Sequence, residues 1–252
     1  MYSDGAILVA LGAVALLYAC VGHGGASGYI AVFTLAGLGA EQIRPLALEL
    51  NLVVAGLGTV VYARAGHFNG QVFGPLALAA VPAALLGGAI ALPLSPLKQL
   101  LAVVLLFSAW RLIATGSKAS IPPITTSPPA APAIAGVGAG LGLLAGLTGT
   151  GGGIFLTPWM VMRRWLPIRQ AAAVSAAFIL VNSLSGLIGF GLSRGWSEIP
   201  AANQIWPMAV VVLVCGGIGA MAGSQWLPPR WIRGLLATVL VVASLKLAGL
   251  SH

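Results

Sequence analysis

The chain has 252 residues, 59% of them hydrophobic and 6% charged, with 12 Lys and Arg against 4 Asp and Glu for a net charge of +8. A soluble domain carries about 25% charged residues, so this composition excludes a water-soluble globule and reads as a membrane protein. The bases are scattered at the edges of apolar stretches, unlike a nucleic-acid surface; three His and four acids do not make a metal cluster, and no Walker-type loop is present to drive transport with a nucleotide.

The first apolar run, 6–21, has no basic flank before it and leads into Gly22-His23-Gly24-Gly25-Ala26-Ser27-Gly28 instead of a cleavage site. It is therefore read as mature protein, not a signal peptide. Glycine gives up the most backbone freedom on ordering, so this cluster predicts a local unwinding before a short second piece, 29–38. About 20 apolar residues cross a bilayer, and 43–62, 72–92 and 97–115 meet that length. Five prolines in 121–132 then forbid a helix and predict an extended linker. The order now repeats: an apolar run over 133–147, a second break at Gly149-Thr150-Gly151-Gly152-Gly153, a short piece over 154–162, and spans over 168–192, 205–227 and 231–250. Cys20 and Cys215 have neither disulfide nor metal spacing and read as packing. Trp110, Trp165, Trp196, Trp206, Trp226 and Trp231 fall near segment ends, as in an aromatic belt.

Further landmarks recur in register. Ile43-Arg44 and Ile168-Arg169 each open the span after a break, and Pro93…Lys98 and Pro228…Arg233 each lead into a helix ending on a base, Arg111 or Lys246. This predicts an all-α polytopic membrane fold of two homologous repeats, 1–118 and 133–252, joined by a proline-rich linker over 119–132. Each repeat has a glycine-broken or re-entrant helix plus three spanning helices. Arg163, Arg164 and Arg169 form the densest basic loop, which places it inside. If each broken stretch is a hairpin, the halves are inverted; if it spans, they are parallel. The distribution of bases favours inversion.

Paired breaks at matching places in two halves point to a transporter's binding site. The residues implicated are Gly22, His23, Gly24, Gly25 and Ser27 in the first, and Thr148, Gly149, Thr150, Gly151, Gly152 and Gly153 in the second. A helix beginning after each break has N–H groups without intrahelical partners and about half a positive charge, which would hold an anion without a buried cation. Close helix packing is the plainer reading. It fits Gly138, Gly142 and Gly146 at intervals of four better than it fits contiguous glycines. His23 is either a donor and proton carrier or a neutral histidine on a loop carbonyl. Glu49, an acid inside an apolar span, is a candidate for proton coupling or a structural partner of Arg44. Asn51, Asn182 and Ser175 are substrate contacts or interhelical glue; Ser175 and Asn182 share a helical face. The segment Gly25-Ala26-Ser27-Gly28 also matches the Gly-x-Ser-Gly pattern of intramembrane serine proteases. His67 and His252 would be the activating bases of such an enzyme.

The run Gly146-Leu-Thr-Gly-Thr-Gly-Gly-Gly-Ile-Phe-Leu-Thr-Pro158, followed by Ile168-Arg169-Gln-Ala-Ala-Ala-Val-Ser175 and Asn182, resembles the sulfite exporter TauE/SafE family along essentially the whole chain. In the first half His23, Ala26 and Ser27 replace the family's apolar and glycine positions, and no proline maps to Pro158. The resemblance implies export or uptake of sulfite, sulfonates and related small organic anions. The expected function is thus secondary transport by alternating access around the two breaks, without enzymatic activity, cofactor or metal. An intramembrane hydrolase using Ser27 and a non-transporting scaffold are the alternatives. The expected partners are a small anionic substrate, the lipid bilayer and, as an open option, a second copy in a homodimer, but not nucleic acid. The expected location is the cell inner membrane.

Overall fold

The computed structural model describes residues 4–90, 106, 110 and 130–249. Regular structure among the described residues is helical throughout: α1 Gly5–Ala19, α2 Ala26–Leu35, α3 Ala40–Arg64, α4 Gly70–Ala89, α5 Ala131–Thr148, α6 Gly153–Met162, α7 Ile168–Arg194, α8 Ala202–Met221 and α9 Pro229–Gly249. Five stretches are long and apolar enough to cross a membrane: Glu41–Arg64, Gly70–Ala89, Ala131–Thr148, Ile168–Arg194 and Ala202–Trp226. The expected spans over 43–62 and 168–192 lie within these, while those over 72–92 and 205–227 overlap Gly70–Ala89 and Ala202–Trp226 and run past their ends. That over 231–250 is the helix α9, outside this set of five. The expected span over 97–115 falls outside the described residues apart from Leu106 and Trp110, as does the linker up to residue 129. The end of that linker differs from expectation. Ala130 already caps α5, and Pro132 sits in its first turn, where a missing N–H breaks no helical bond.

Contacts along the helices give each its direction. The long helices α3 and α7 cross the centre antiparallel: Arg44 stacks 5.6 Å from the Phe190 ring at one end, Asn51 meets Ser183 at 3.3 Å, and Gly58 faces Ala176. Their first turns define an Arg44 end and an Arg169 end of the molecule. Next, α1 and α2 fold back on each other, with Tyr18 Oη 3.0 Å from Ser27 Oγ and Val14 against Gly28. The end of α1 lies beside the end of α3, where Tyr62 Oη donates to the carbonyls of Ala19 at 3.3 Å and Cys20 at 2.8 Å. From there the chain returns to the middle of α3 and starts α2 beside Asn51. The α1–α2 pair is thus a hairpin whose two outer ends lie at the Arg44 end.

The second broken stretch does the reverse. Helix α5 runs parallel to α4, with Gly138 on Leu76, Gly142 on Ala80 and Gly146 on Ala84, and so ends near Arg44. Helix α6 starts beside Ile179 in the middle of α7 and runs back toward the start of that helix, passing Ser175 at Thr157. The α5–α6 hairpin thus enters and leaves at the Arg169 end. Described bases cluster there too, at Arg64, Arg163, Arg164, Arg169, Arg230 and Arg233, while Arg194 pairs with Glu41 at 2.8 Å at the other end. Trp196, Trp206, Trp226 and Trp231 are exposed near helix ends, as a belt requires.

Small residues set the closest packing. A Cβ at Gly142 would lie 2.5 Å from the Ala80 carbonyl oxygen and 2.7 Å from its Cα. Backbone cannot yield as a flexible side chain can, and overpacking costs about 1–3 kcal/mol or more. Gly142→Leu is therefore expected to part α4 from α5 and lower the melting temperature in detergent. In the same helix Gly140→Ala, whose Cβ would meet nothing within 4 Å, is expected to hold or raise it.

Candidate functional site

Both breaks turn on glycines in the left-handed region. Gly22 (φ 74°) and Gly25 (φ 98°) close the first, and Gly149 (φ 73°), Gly151 (φ 72°) and Gly152 (φ 79°) close the second. A side chain at these angles is strained by about 1–2 kcal/mol, which is why the chain carries glycine there. Helix α2 starts earlier than the glycine spacing suggested. Ala26 is its first residue, so Ser27 and Gly28 are helical and outside the unwound loop.

The two loops meet at one side chain. Asn51 is fully buried at the centre of α3. Its Oδ1 accepts the N–H of Ala26 at 3.1 Å, satisfying a free donor at the start of α2. Its Nδ2 donates to Ser183 Oγ at 3.3 Å and, at a longer 3.5 Å, to the carbonyl of Thr150 in the other break. The Ile179 side chain lies against Gly24 on one side and Gly151 and Gly153 on the other. The starts of α2 and α6 therefore lie at the same depth, around the same residues of α3 and α7. Their positive ends point toward one another from opposite faces. Asn51, Ile179 and Ser183 lie between them.

A second bridge links the halves. His23 Nε2 lies 3.0 Å from Thr157 Oγ1 on α6, and Thr157 donates to Ser175 Oγ at 2.7 Å on α7. Because Thr157 gives its proton to Ser175, it accepts from Nε2–H, and His23 Nδ1 is left as a bare acceptor. That atom is buried and without a partner, as are Tyr29 Oη and both amide atoms of Asn182. Tyr29 stands against Gly25 in the first break. Asn182 is one or two turns from Phe178, Ile179 and Gly186, which touch Gly152, Gly151 and Gly146. Buried polar atoms of this kind ordinarily have partners, so four of them, on three residues around one pair of loops, call for an explanation.

Other expected residues are placed differently. Glu49 sits on α3 about 200° round the helix from Asn51, away from the breaks. Its Oε2 has no partner, and the bond to Arg44 that was one alternative is not formed; Arg44 instead binds backbone carbonyls. Thr148 points back along its own helix to Leu144 O at 2.7 Å and meets Thr150 Oγ1 at 2.8 Å. Ser27 pairs with Tyr18, His23 with Thr157, and His67 with Ser224 O at the Arg169 end. No hydrogen bond joins Ser27 to a histidine among the described residues, and His252, the other base the hydrolase alternative named, lies outside them. Thr157 and Tyr29 went unread in the sequence. Thr157 could have been found as the polar residue one turn into α6, facing the loop it follows.

The sequence pattern of the sulfite exporter TauE/SafE family matches residues 6–247. The chain belongs to this family. It is 37% identical over 243 residues, covering 96% of both chains, to the "Probable membrane transporter protein y4hK" of Sinorhizobium fredii. A second relative, the "Probable membrane transporter protein MJ0441" of Methanocaldococcus jannaschii, is 31% identical over 112 residues, covering 41% of this chain and 40% of its own. No solved structure matches the chain. As a TauE/SafE protein the chain is a multi-helix membrane transporter.

Proposed function

We propose that this protein is a secondary transporter of a small sulfur-containing oxyanion, sulfite or an organosulfonate, in the cell inner membrane. The anion binds between the starts of α2 and α6, at the loops Gly22–Gly25 and Gly149–Gly153 with His23, Asn51, Ser175 and Asn182. The halves 1–118 and 133–252 are inverted repeats joined by 119–132, and alternating access moves one group of helices against the other. The observation that carries this reading is the Asn51 amide, held by both breaks at once. A packing pattern supports the repeats: α1 lies on α8 as α5 lies on α4, and α2 starts beside α3 as α6 starts beside α7. Backbone amides at the two breaks, a histidine and two asparagines offer hydrogen bonds to sulfonate oxygens without a fixed full charge at the centre.

Melting of the purified protein with a panel of anions tests the reading. Sulfite or a sulfonate is expected to raise the melting temperature more than chloride or acetate at equal ionic strength, because a ligand bound only to the native state stabilises it. His23→Ala is expected to lose that shift and Gly140→Ala to keep it. A shift common to all anions, or one kept by His23→Ala, would count against the site.

A further inference from the structure

Arg44, the fifth residue of α3, and Arg169, the second of α7, lie near the starts of the two long helices, at opposite ends of the molecule. Each binds the end of the next helix along. Arg44 Nη2 donates to the carbonyls of Gly87 and Gly88 at 2.9 Å each, and Nη1 to Ile90 at 3.5 Å, at the close of α4. Arg169 Nη2 donates to Leu227 O at 2.8 Å, just past α8. Each lies under the tip of the other half's hairpin. A Cβ on Gly149 would meet Arg44 Cγ at 2.9 Å, and one on Gly22 would meet the backbone of Ala172, three residues beyond Arg169. In both arginines the Nε atom is buried with no partner.

We propose that Arg44 and Arg169 are a matched pair of anion sites, one at each mouth of the path, that receive the substrate before and after it occupies the centre. This rests on the anion-transport reading above. An oxyanion entering hydrocarbon needs positive charge along its route, and the starts of α2 and α6 supply only partial charges. The carbonyls that hold each guanidinium are dipole ends, so they fix its position and leave a net positive charge at the mouth. The unpartnered Nε–H is a free edge of a planar fork that suits a group with several equivalent oxygens. The ends are not equal. Arg44 also donates to Gly146 O of α5 and so ties the two halves together, whereas at the other end the carbonyls of Ala19 and Cys20 are taken by neutral Tyr62. Movement that opens the Arg44 mouth must detach its guanidinium from α5, freeing donors as the substrate arrives.

Uptake of labelled sulfite and 2-aminoethanesulfonate into right-side-out and everted vesicles tests this. With the basic Arg169 end inside, Arg44→Gln is expected to raise KM about tenfold in right-side-out vesicles and little in everted ones, a loss of about 1.4 kcal/mol on one side. Arg169→Gln is expected to do the reverse. Arg→Lys at either position should recover most of the KM effect, because the charge returns although the fork does not. KM changes of equal size from both sides, or no recovery with Lys, would make these arginines structural caps and overturn the proposal. A wild type that carries neither anion would sink the substrate reading instead. The pair is then judged by arginine labelling with phenylglyoxal, which methanesulfonate or sulfite must slow at Arg44 and Arg169 relative to Arg64; unprotected labelling overturns it.

Discussion

Gly151→Ala is expected to abolish transport and to lower the melting temperature well below that of Gly140→Ala. Two effects act together. Gly151 has φ 72°, where an L side chain costs about 1–2 kcal/mol. The added methyl would also lie 2.8 Å from Ile179 Cγ2, 2.9 Å from Asn51 Nδ2 and 3.0 Å from Ser183 Oγ. Those contacts push the second loop off the amide it shares with the first, adding about 1–3 kcal/mol of overpacking. Gly140→Ala, one helix earlier and with open space around it, is the control. Melting in detergent and uptake in vesicles measure the two together. Gly151→Ala protein that melts and transports like wild type would show that the loop is not held as described.

Asn51→Leu is expected to be the most damaging change in α3. Leucine fits the volume and returns none of the hydrogen bonds. The Ala26 N–H loses its acceptor while still buried, and a buried unsatisfied group costs about 1–3 kcal/mol. Ser183 and Thr150 O lose their shared donor as well. By contrast, Ser183→Ala removes one interhelical bond, worth about 0.6 kcal/mol in a membrane. Transport is expected to vanish in Asn51→Leu and to fall only modestly in Ser183→Ala. Equal losses in the two variants would mean that Asn51 is ordinary glue and not the joint between the breaks.

The glycine clusters were legible because their cost in a helix is local and does not depend on neighbours. The helices Glu41–Arg64, Gly70–Ala89, Ile168–Arg194 and Ala202–Trp226 followed from hydropathy, whereas Ala131–Thr148, read in sequence as a short run, is also long enough to cross a membrane. In sequence Ser27 belongs to the first glycine cluster, yet Ala26 and Ser27 open α2, because Gly25 already supplies the turn. Asn51 was named as a candidate but weighed as glue. Only the fold reveals that one amide reaches two loops separated by about half the chain. Arg44 read as an anchor near a membrane surface, and nothing in its flanks announces four carbonyls from two helices. Glu49, an equally polar residue of the same helix, lies about 200° round it from Asn51, a relation that only helix geometry gives.

By itself the sequence determined the solvent of this protein, the number and order of its breaks, and the family it resembles. Those follow from residue type and spacing along one chain, through the cost of burying charge and of holding glycine in a helix. Tertiary structure decided that both broken stretches are hairpins entering from opposite ends, that α2 and α6 start at one depth, and that Asn51, His23 and Thr157 join the halves. These depend on which helix packs against which, and hydropathy is nearly uniform over the apolar segments, so it carries no record of that choice.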